Sequence, residues 1–543
     1  MRLCGSAQMR GMDRYTIEVL GVPGAKLMSN AAGHIASAAM EKLALGGAAA
    51  VFCGAGNNGG DGIGAAAFLL EKGVPVRAFL IGGRDKLTAD SAEMLRRFEA
   101  LGGALESFGG PDDISGYVSN CGVVIDAIYG IGLNSAVRGD ALAAVRMINA
   151  SGAFVIAADI PSGVHADTGA ILGDAVRADA TITFTMAKPG HFIEPGCVCC
   201  GEVRVRYIGI PAAASGSDYA AGSAGDAAGS AGESADSDHA AGRPDAIGGA
   251  GDAAGGASSD VFAVMQGDAG LPRRRADSHK GDHGRCLIIA GSVGYTGAPA
   301  LCARAASRTG AGLVYLGVPG AIYDIMAVKL DEEMPFPLPC DADGRLAAGA
   351  AGEILRRAEQ CDVCLIGPGL GQSEEITELV QSLVKTLKAP IVLDADGLNA
   401  VAGNPDILEK AASPLILTPH PGEFARLGGD ASAGDRLGAA RDFARKHRCV
   451  LVLKGHRTIT SMPDGAAYIN TTGNAAMAKG GSGDVLAGMI AALIGQKLPV
   501  KDAVTTAVYL HGLAGDVCAT EYGEYSVTAG DITAAIPQAV KRL

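Results

Sequence analysis

The stretch Gly480–Asp484 is the clearest place in this sequence where the residue types could do chemistry. Its glycines allow several backbone N–H groups to approach one point. The apolar residues that follow at helical spacing predict a helix N-terminus, which favours a bound anion. Asp484 lies at that start and could accept a proton from a hydroxyl, a layout that suits phosphoryl transfer to an alcohol. The alternative is a glycine-rich turn in which Asp484 only caps the helix.

Several further polar loops of the C-terminal half each follow a predicted strand. They are Gly291–Pro299, Gly367–Gly371, Asp394–Asn399, Thr418–Glu423 and Lys454–Thr458. Ligand clefts form at the carboxyl ends of the strands of an open α/β sheet, so we expect these loops to share one cleft with Gly480–Asp484. Lys454 and Thr458, with nearby backbone amides, suit a nucleotide phosphate. His420, taken alone, could instead be a hydrogen-bonded structural residue.

The N-terminal half carries a second group of polar loops that follow strands. Gly54–Gly62 contains two asparagines and an aspartate among glycines, while Asp126 ends one predicted strand and Asp159 ends another. These loops should converge on one crevice at the carboxyl edge of the sheet. The oxygen-bearing side chains of Asn58, Asp126 and Ser162 suit a hard cation. Each aspartate could instead cap a helix or a turn.

The order of the predicted elements indicates the fold class. Short apolar strands alternate with helices in both halves, which is typical of parallel, doubly wound α/β sheets. Between the halves, residues 212–259 are almost all Gly, Ala, Ser and Asp, a composition that cannot offset the entropy cost of ordering. We therefore predict two α/β domains, residues 1–211 and 260–543, joined by a flexible linker. Such a linker suits two sites that share a freely diffusing intermediate.

The composition excludes several classes of partner. The net charge is -13 and charged residues make up 19% of the chain, so we expect neither nucleic acid nor an anionic membrane as a partner. The N-terminus lacks the apolar region of a signal peptide, and no apolar run is long enough to span a bilayer, which predicts a cytoplasmic protein. The 13 cysteines lack zinc-site spacing, so reduced thiols are expected.

Three motifs of the N-terminal half, Asn57–Gly62, Asp126–Leu133 and Asp159–Gly163, occur together and in this order. With them, nearly the whole of residues 1–211 resembles the NAD(P)H-hydrate epimerase family. The resemblance implies that Asp159 is catalytic, that Lys188 is a further candidate for the pocket, and that a potassium ion binds to Asn58, Asp126 and Ser162. The implied substrate-binding residues are Asn57, Asn58, Gly59, Gly60, Asp61, Gly130, Ile131, Gly132, Leu133, Asn134, Ser135, Ala136 and Asp159.

The polar loops of the C-terminal half, taken as one set over about 272–537, resemble the ADP- or ATP-dependent NAD(P)H-hydrate dehydratase family of the ribokinase-like superfamily. The resemblance implies that Asp484 is the catalytic base. The implied contacts with the hydrated cofactor are Ala298, Gly371, His420 and Asp484, and those with the nucleotide are Lys454, Gly455, His456, Arg457, Thr458 and Gly483. ADP is the expected phosphoryl donor, with ATP as the alternative, and Mg²⁺ should accompany the nucleotide.

Together the two resemblances imply a bifunctional repair enzyme, an isomerase joined to a lyase. The first half would interconvert the R and S forms of the hydrated cofactors NADHX and NADPHX. The second would phosphorylate the C6 hydroxyl of the S form and eliminate phosphate, which restores the reduced cofactor and releases AMP, or ADP if ATP is the donor. One alternative is a ribokinase-like small-molecule kinase fused to a cofactor-binding module; another is an N-terminal half without turnover. Family members are often multimeric, so a homo-oligomer is expected.

Overall fold

The computed structural model describes residues 1–43, 47–111, 114–211, 260–432 and 434–543. The strands of the N-terminal half are β1 (Arg2–Leu3), β2 (Ala49–Gly54), β3 (Val76–Ile81), β4 (Leu105–Ser107), β5 (Val123–Ala127), β6 (Phe154–Ala158), β7 (Ala180–Phe184) and β8 (Glu202–Arg206). Its α-helices are α1 (Ser6–Glu18), α2 (Gly24–Lys42), α3 (Asn57–Glu71), α4 (Ala89–Ala100), α5 (Ser115–Val118) and α6 (Gly139–Ala150).

The C-terminal half alternates strands and helices in the same way. Its strands are β9 (Val261–Val264), β10 (Arg285–Ile289), β11 (Leu313–Pro319), β12 (Met334–Leu338), β13 (Val363–Ile366), β14 (Ile391–Leu393), β15 (Leu415–Leu417), β16 (Val450–Leu453), β17 (Ile459–Ser461) and β18 (Ala467–Asn470). Its α-helices are α7 (Gly297–Arg308), α8 (Tyr323–Lys329), α9 (Ala351–Ala358), α10 (Glu374–Thr386), α11 (Asp396–Ala402), α12 (Pro421–Arg426), α13 (Arg436–Lys446), α14 (Ser482–Gly495), α15 (Val500–Tyr522) and α16 (Ala529–Lys541).

The first sheet has seven strands in the order β4–β3–β2–β5–β6–β7–β8, and all neighbouring strands are parallel. Apolar residues of α1–α4 pack on one face, and those of α5 and α6 pack on the other. β2 is therefore buried along its whole length. Apolar runs without alternation are what a parallel sheet covered on both faces requires.

The second sheet has eleven strands in the order β1–β9–β18–β17–β16–β15–β14–β13–β10–β11–β12. The seven strands β16–β15–β14–β13–β10–β11–β12 are parallel to one another. Helices α7, α8 and α14–α16 cover one face of the sheet, and α9–α13 cover the other. β17 and β18 form the antiparallel hairpin that the turn signal Met462–Gly465 predicts. The predicted fold class, two doubly wound α/β sheets, is confirmed.

The sequence pattern did not indicate β1, β4, β9 or β12. β12 contains Pro335 and Pro337, which have no backbone N–H to donate, and it lies at an edge of the sheet, where one side of a strand needs no partner. β1 is only two residues long, and it pairs with residues far away in the chain. Such pairing leaves no local periodicity to detect.

The two halves pack directly against each other through the first residues of the chain. β1 pairs antiparallel with β9, with Arg2 opposite Phe262, so residues 2 and 3 belong to the second sheet. Arg2 Nη2 lies 2.8 Å from Asp260 Oδ1, and the Ala263 N–H donates to the carbonyl of Met1. The predicted linker, 212–259, lies outside the described residues, and the domain boundaries stay a prediction.

Helix α14, which follows the glycine-rich loop, is the most deeply packed helix of the second half. Its apolar residues are buried between α7 and α15. Gly488 allows the close approach of α7, since a Cβ at this position would clash with the carbonyl oxygen of Cys302. In the described part of the chain, no helix has both the length and the apolar character needed to cross a membrane.

We predict that Gly488→Ala destabilises the protein by about 1–3 kcal/mol, because the added methyl forces α14 and α7 apart. Gly352→Ala is the matched control. Gly352 is also helical and exposed, and a Cβ there meets nothing within 4 Å. Its free energy of unfolding should stay within about 0.5 kcal/mol of the parent value. Urea unfolding followed by circular dichroism measures both, and equal values for the two variants would contradict the role given to Gly488.

Candidate active sites

The loops at the carboxyl ends of β2, β5 and β6 enclose a cavity of about 700 Å³ in the N-terminal half. Eight of the predicted substrate-binding residues line it: Asn57, Asn58, Asp61, Gly130, Ile131, Gly132, Leu133 and Asp159. Gly59 and Gly60 are buried behind the loop, and a Cβ on Gly59 would clash with the backbone of Gly54. Asn134–Ala136 are exposed and are not among the lining residues.

Asp159 lies at the centre of this cleft. Its φ of 65° is a left-handed conformation that costs a non-glycine residue energy, which the surrounding contacts must offset. The carboxylate accepts hydrogen bonds from Lys188 Nζ and, at 3.0 Å, from Thr183 Oγ1. Burial alone would raise the pKa of Asp159, but the charge of Lys188 outweighs it and the pKa is lowered. His191 donates to the Asp159 carbonyl at 2.9 Å, which fixes the backbone there.

Two further carboxyl groups share this cleft, and one of them was not singled out from the sequence. Burial raises the pKa of Asp13 to about 6, and the nearby Asp159 carboxylate adds to the shift. Burial likewise raises the pKa of Asp61 well above its usual value. The cleft therefore holds an ionised carboxylate, a buried lysine and two carboxyls shifted towards the neutral acid. That set can both accept and donate protons near neutral pH.

The residues predicted to hold a cation lie together beneath this cleft. Asp126 is fully buried and accepts from the Ser162 N–H at 2.7 Å and from Ser162 Oγ at 2.6 Å. Burial raises its pKa to about 6. Asn58 packs against Gly130. The N–H of Tyr129, the residue before Gly130, donates to Ser162 Oγ. Within the described ranges, no group of three or more His, Cys, Asp or Glu is placed to hold a metal ion.

A second cavity, of about 1000 Å³, opens at the carboxyl edge of the C-terminal sheet. The predicted residues that line it are His420, Lys454, Gly455, His456, Arg457, Thr458, Gly483 and Asp484. Ala298 and Gly371 are not among the lining residues. They lie on adjoining loops, where Ala298 faces Gly369 and the Gly371 N–H donates to Asp396 Oδ2 at 2.9 Å.

Asp484 lies in the first turn of α14, three residues after the left-handed Gly481. Burial raises the pKa of Asp484 to about 7, and the Asp394 carboxylate adds to the shift while Lys454 opposes it. A carboxylate with a pKa near neutrality is a stronger base than an ordinary exposed one. The free N–H groups of the α14 N-terminus lie beside it, so the loop combines an anion site with a base.

Lys454 is the buried cation of this cleft. Its Nζ lies 2.8 Å from Asp394 Oδ1 and 3.7 Å from Glu423 Oε2. Burial would lower the pKa of Lys454, but these two carboxylates outweigh it and raise the pKa. Asp394 also accepts from Thr418 Oγ1 at 2.7 Å. The Lys454 ammonium is thus held between Asp394 and Glu423, and the charge of Asp484 further raises its pKa.

His420 has the structural role that the sequence left open. Its Nδ1 accepts from the Gly422 N–H at 3.0 Å and from the Glu423 N–H at 3.3 Å, which caps α12. The ring is half exposed at the same time and lines the cavity. Capping and ligand contact are therefore compatible, because the cap occupies only one ring nitrogen.

Three cleft residues were not predicted as site residues. Asp394 is buried beneath Lys454. Burial lowers the pKa of His511 to about 4, although the backbone of Ser482 opposes this shift. Glu194 comes from the N-terminal half yet lines the C-terminal cavity. Asp394 could have been found from its place at a strand end, but nothing in the spacing of His511 or Glu194 signals a site.

The geometry defines the class of protein. Two doubly wound domains each carry a polar cleft at the carboxyl edge of the sheet, and the second domain adds a helix N-terminus beside a carboxyl group. Residues 286–538 match the family described as NAD(P)H-hydrate dehydratase. Residues 24–190 match the family described as YjeF-related protein N-terminus. The chain belongs to the family of bifunctional NAD(P)H-hydrate repair enzymes, as both motif sets predicted.

Similar proteins match over the whole chain. A bifunctional NAD(P)H-hydrate repair enzyme of Thermofilum pendens is 36% identical over 548 residues, which cover 100% of this chain and 97% of that protein. A bifunctional NAD(P)H-hydrate repair enzyme of Moorella thermoacetica is 37% identical over 555 residues, which cover 100% of this chain and 97% of that protein. Among solved structures, an ADP/ATP-dependent NAD(P)H-hydrate dehydratase from Bacillus subtilis, co-crystallised with ATP/Mg²⁺, is 33% identical, covers 50% of this chain and 94% of its own, and has a TM-score of 0.43.

We predict that Lys454→Met lowers the free energy of unfolding by about 3 kcal/mol near neutral pH, because Asp394 and its neighbours lose their buried cation. The loss should grow as the pH rises through about 7, the pKa of Asp484, and shrink below it, because a protonated carboxyl needs no cation. Lys501→Met is the control, since Lys501 pairs with Asp502 at the surface and should contribute about 0.5 kcal/mol or less. Urea unfolding between pH 5.5 and 8.5 gives both values, and a loss independent of pH would contradict the argument.

Proposed function

We propose that this chain repairs hydrated nicotinamide cofactors in two steps. The N-terminal cleft interconverts the R and S forms of NADHX and NADPHX. The C-terminal cleft uses a nucleotide to convert the S form back to the reduced cofactor. The observation that carries the proposal is Asp484, a base with a pKa near neutrality at a helix N-terminus that faces the Lys454–Thr458 loop in one cleft. Full-length similarity to bifunctional repair enzymes supports the pairing of the two steps.

The dehydration follows from the chemistry of the leaving group. Hydroxide leaves poorly, whereas phosphate leaves readily. Asp484 accepts the proton of the C6 hydroxyl as the hydroxyl oxygen attacks the terminal phosphorus, and the bond from that phosphorus to the nucleotide breaks. The Gly480–Gly483 amides stabilise charge on the phosphoryl group. Loss of phosphate from C6, with electrons from the ring nitrogen, leaves an iminium ion, and loss of a proton from the neighbouring carbon C5 then restores the C5–C6 double bond of the nicotinamide ring.

The acidic residues of the C-terminal cleft fit a divalent cation. Asp394 and Asp484 both line the cleft beside Lys454, so two carboxyl groups are present where a phosphate chain must bind. Mg²⁺ bound with the nucleotide would neutralise the phosphate chain, and Asp394 and Asp484 are the residues that would hold it. ADP is the proposed donor, with ATP as the alternative. A dehydratase assay that compares the two nucleotides side by side distinguishes them.

In the N-terminal cleft, Asp159 and Lys188 move protons at the hydrated ring carbon. Asp159, which Lys188 keeps ionised, accepts the proton of the C6 hydroxyl as the bond between C6 and the ring nitrogen breaks and the hydroxyl carbon becomes an aldehyde. Lys188 donates a proton to that nitrogen, and reclosure on the other face of C6, with both protons returned, gives the other form. Asp13 and Asp61, shifted towards the neutral acid, can donate to the amide and ring groups of the nicotinamide. Asn57 and Gly130–Leu133 line the cavity and are proposed to orient the ring.

A small-molecule kinase that releases a stable phosphate ester is the alternative for the C-terminal half, because an anion site beside a base serves either reaction. Product analysis separates them. Repair predicts one phosphate released per hydrate consumed, with recovery of the absorbance of the reduced cofactor. An accumulating phosphate ester without that recovery would favour the kinase. A homo-oligomer and a cytoplasmic location stay predictions.

We predict that Asp484→Asn abolishes dehydration and retains epimerisation, because the amide cannot accept the hydroxyl proton. Asp159→Asn should give the reverse. The size of each loss should be at least about 100-fold, as for other general bases. Assays of R-to-S equilibration and of reduced-cofactor recovery measure the two steps on the same preparation. A folded variant that loses both activities, or that keeps both, would contradict the assignment.

We predict that K⁺ binds at Asn58, Asp126 and Ser162. A buried carboxylate without a described cationic partner, surrounded by neutral oxygen donors, suits a weakly hydrated monovalent cation. Replacing choline with K⁺ at constant ionic strength should raise the free energy of unfolding, by about 2.7 kcal/mol at 100 times the Kd. Asp126→Asn should remove the K⁺-specific increase. Asp179→Asn, the control, alters an exposed carboxylate that only accepts from the Val155 N–H and should keep it.

An equal response to K⁺ and choline in the parent chain would contradict the potassium site. So would an Asp126→Asn variant that is folded and still responds as the parent chain does. Both tests measure the free energy of unfolding, so they do not require an active enzyme.

A further inference from the structure

The segment that follows β7 connects the two clefts. Its first part belongs to the N-terminal site, because Lys188 and His191 contact Asp159. Three residues after His191, Glu194 lines the cavity of the C-terminal half. The N-terminal half therefore contributes a side chain to the proposed nucleotide site.

Glu194 makes two contacts with the C-terminal half. His456 Nδ1 donates to Glu194 Oε1 at 2.9 Å, and Arg436 Nη1 lies 3.5 Å from Glu194 Oε2. His456 belongs to the Lys454–Thr458 loop, and Arg436 begins α13, which packs on the strands that flank this loop. Both oxygens of the carboxylate thus face partners from the other half of the chain.

Packing fixes the segment that presents Glu194. Ala187 and Ile193, each 1% exposed, belong to the apolar core on one face of the C-terminal sheet. The carbonyl of Ala187 also accepts from the Cys4 N–H next to β1. Because the segment is buried in the other half, packing between the halves fixes the position of Glu194.

The loop that Glu194 contacts has an unusual backbone. Gly455 has a φ of 155° and Arg457 a φ of 57°, and the second is unfavourable for a residue with a side chain. Arg436 lies against the same turn, since a Cβ on Gly455 would be 2.9 Å from Arg436 Nη2. A loop held in such a conformation needs contacts to keep it ready for a ligand. Glu194 supplies one directly, through His456, and a second through Arg436.

We infer that Glu194 is a nucleotide-positioning residue, supplied by the N-terminal half, that braces the Lys454–Thr458 loop for binding. The C-terminal cleft is complete only when the two halves are docked. The inference rests on the proposed function, because it takes this loop as the nucleotide site. A carboxylate would otherwise repel the phosphates of a nucleotide, and its contacts with His456 and Arg436 explain why the cleft contains one.

The test uses the full chain and ADP as the probe. Glu194→Ala should raise the Kd for ADP, measured by isothermal titration calorimetry, about three- to tenfold, because a partly exposed charge-assisted contact is lost. In steady state, the KM for ADP should rise while kcat at saturating ADP falls by a smaller factor. Glu194→Gln keeps an acceptor for His456 and should recover most of the affinity, to within about twofold of the parent chain.

Glu409→Ala is the matched control. Glu409 also faces a histidine, His447, at 3.4 Å, but this pair lies outside the cavity. Its removal should leave the Kd for ADP unchanged. A double-mutant cycle of Glu194→Ala with His456→Ala should be non-additive, because the two residues contribute one contact.

The inference is wrong if Glu194→Ala binds ADP as tightly as the parent chain. It is also wrong if the variant loses affinity for ADP and for the hydrate by the same factor and unfolds at a lower urea concentration, because Glu194 would then only hold the halves together. If the parent chain binds neither ADP nor ATP, both the proposed function and this inference fail. If the parent chain binds ADP and Glu194→Ala binds it equally tightly, only this inference fails.

Discussion

The ion pair between a buried lysine and an aspartate organises each cleft of this protein. Lys188 contacts Asp159 in the N-terminal half, and Lys454 contacts Asp394 in the C-terminal half. A buried carboxylate without a cation takes up a proton, so the charge of Lys188 lowers the pKa of Asp159 and keeps it ionised. Other carboxyls nearby, such as Asp484, have their pKa raised instead. Each cleft therefore contains neighbouring groups with different proton affinities, which proton transfer near neutral pH requires.

Both lysines owe their positions to the parallel sheets. Lys188 follows β7 and Lys454 follows β16, so both lie at the carboxyl ends of buried strands. Helices cover the two faces of each sheet, which leaves this edge as the place where polar side chains can meet in a cavity. The direct packing of the halves adds a further constraint. Ala187 and Ile193 are part of the C-terminal core, so the segment that shapes one cleft is held by the domain that contains the other.

The fold class and most cleft residues could be predicted because they leave local signals. Apolar runs of strand length alternate with helical patterns, and glycine-rich polar loops follow the strands. Residues outside those loops could not be predicted. Asp13 lies on a helix, His511 lies within α15, and Glu194 lies beyond a short turn, so none has a neighbour whose spacing marks it. β12 was missed because Pro335 and Pro337 are tolerated only at an edge, and the sequence does not say which strand is the edge.

The sequence by itself determined two α/β halves, the family of each, and the loops that carry the chemistry, because these depend on short-range periodicity and on motifs within a few residues. Only the tertiary structure decided the protonation of Asp159 and Asp484, since a pKa depends on burial and on charges distant in the chain. It also decided that β1 joins the second sheet and that Glu194 lies in the C-terminal cleft. Those contacts join residues hundreds of positions apart, and packing between the halves, which no local pattern records, brings them together.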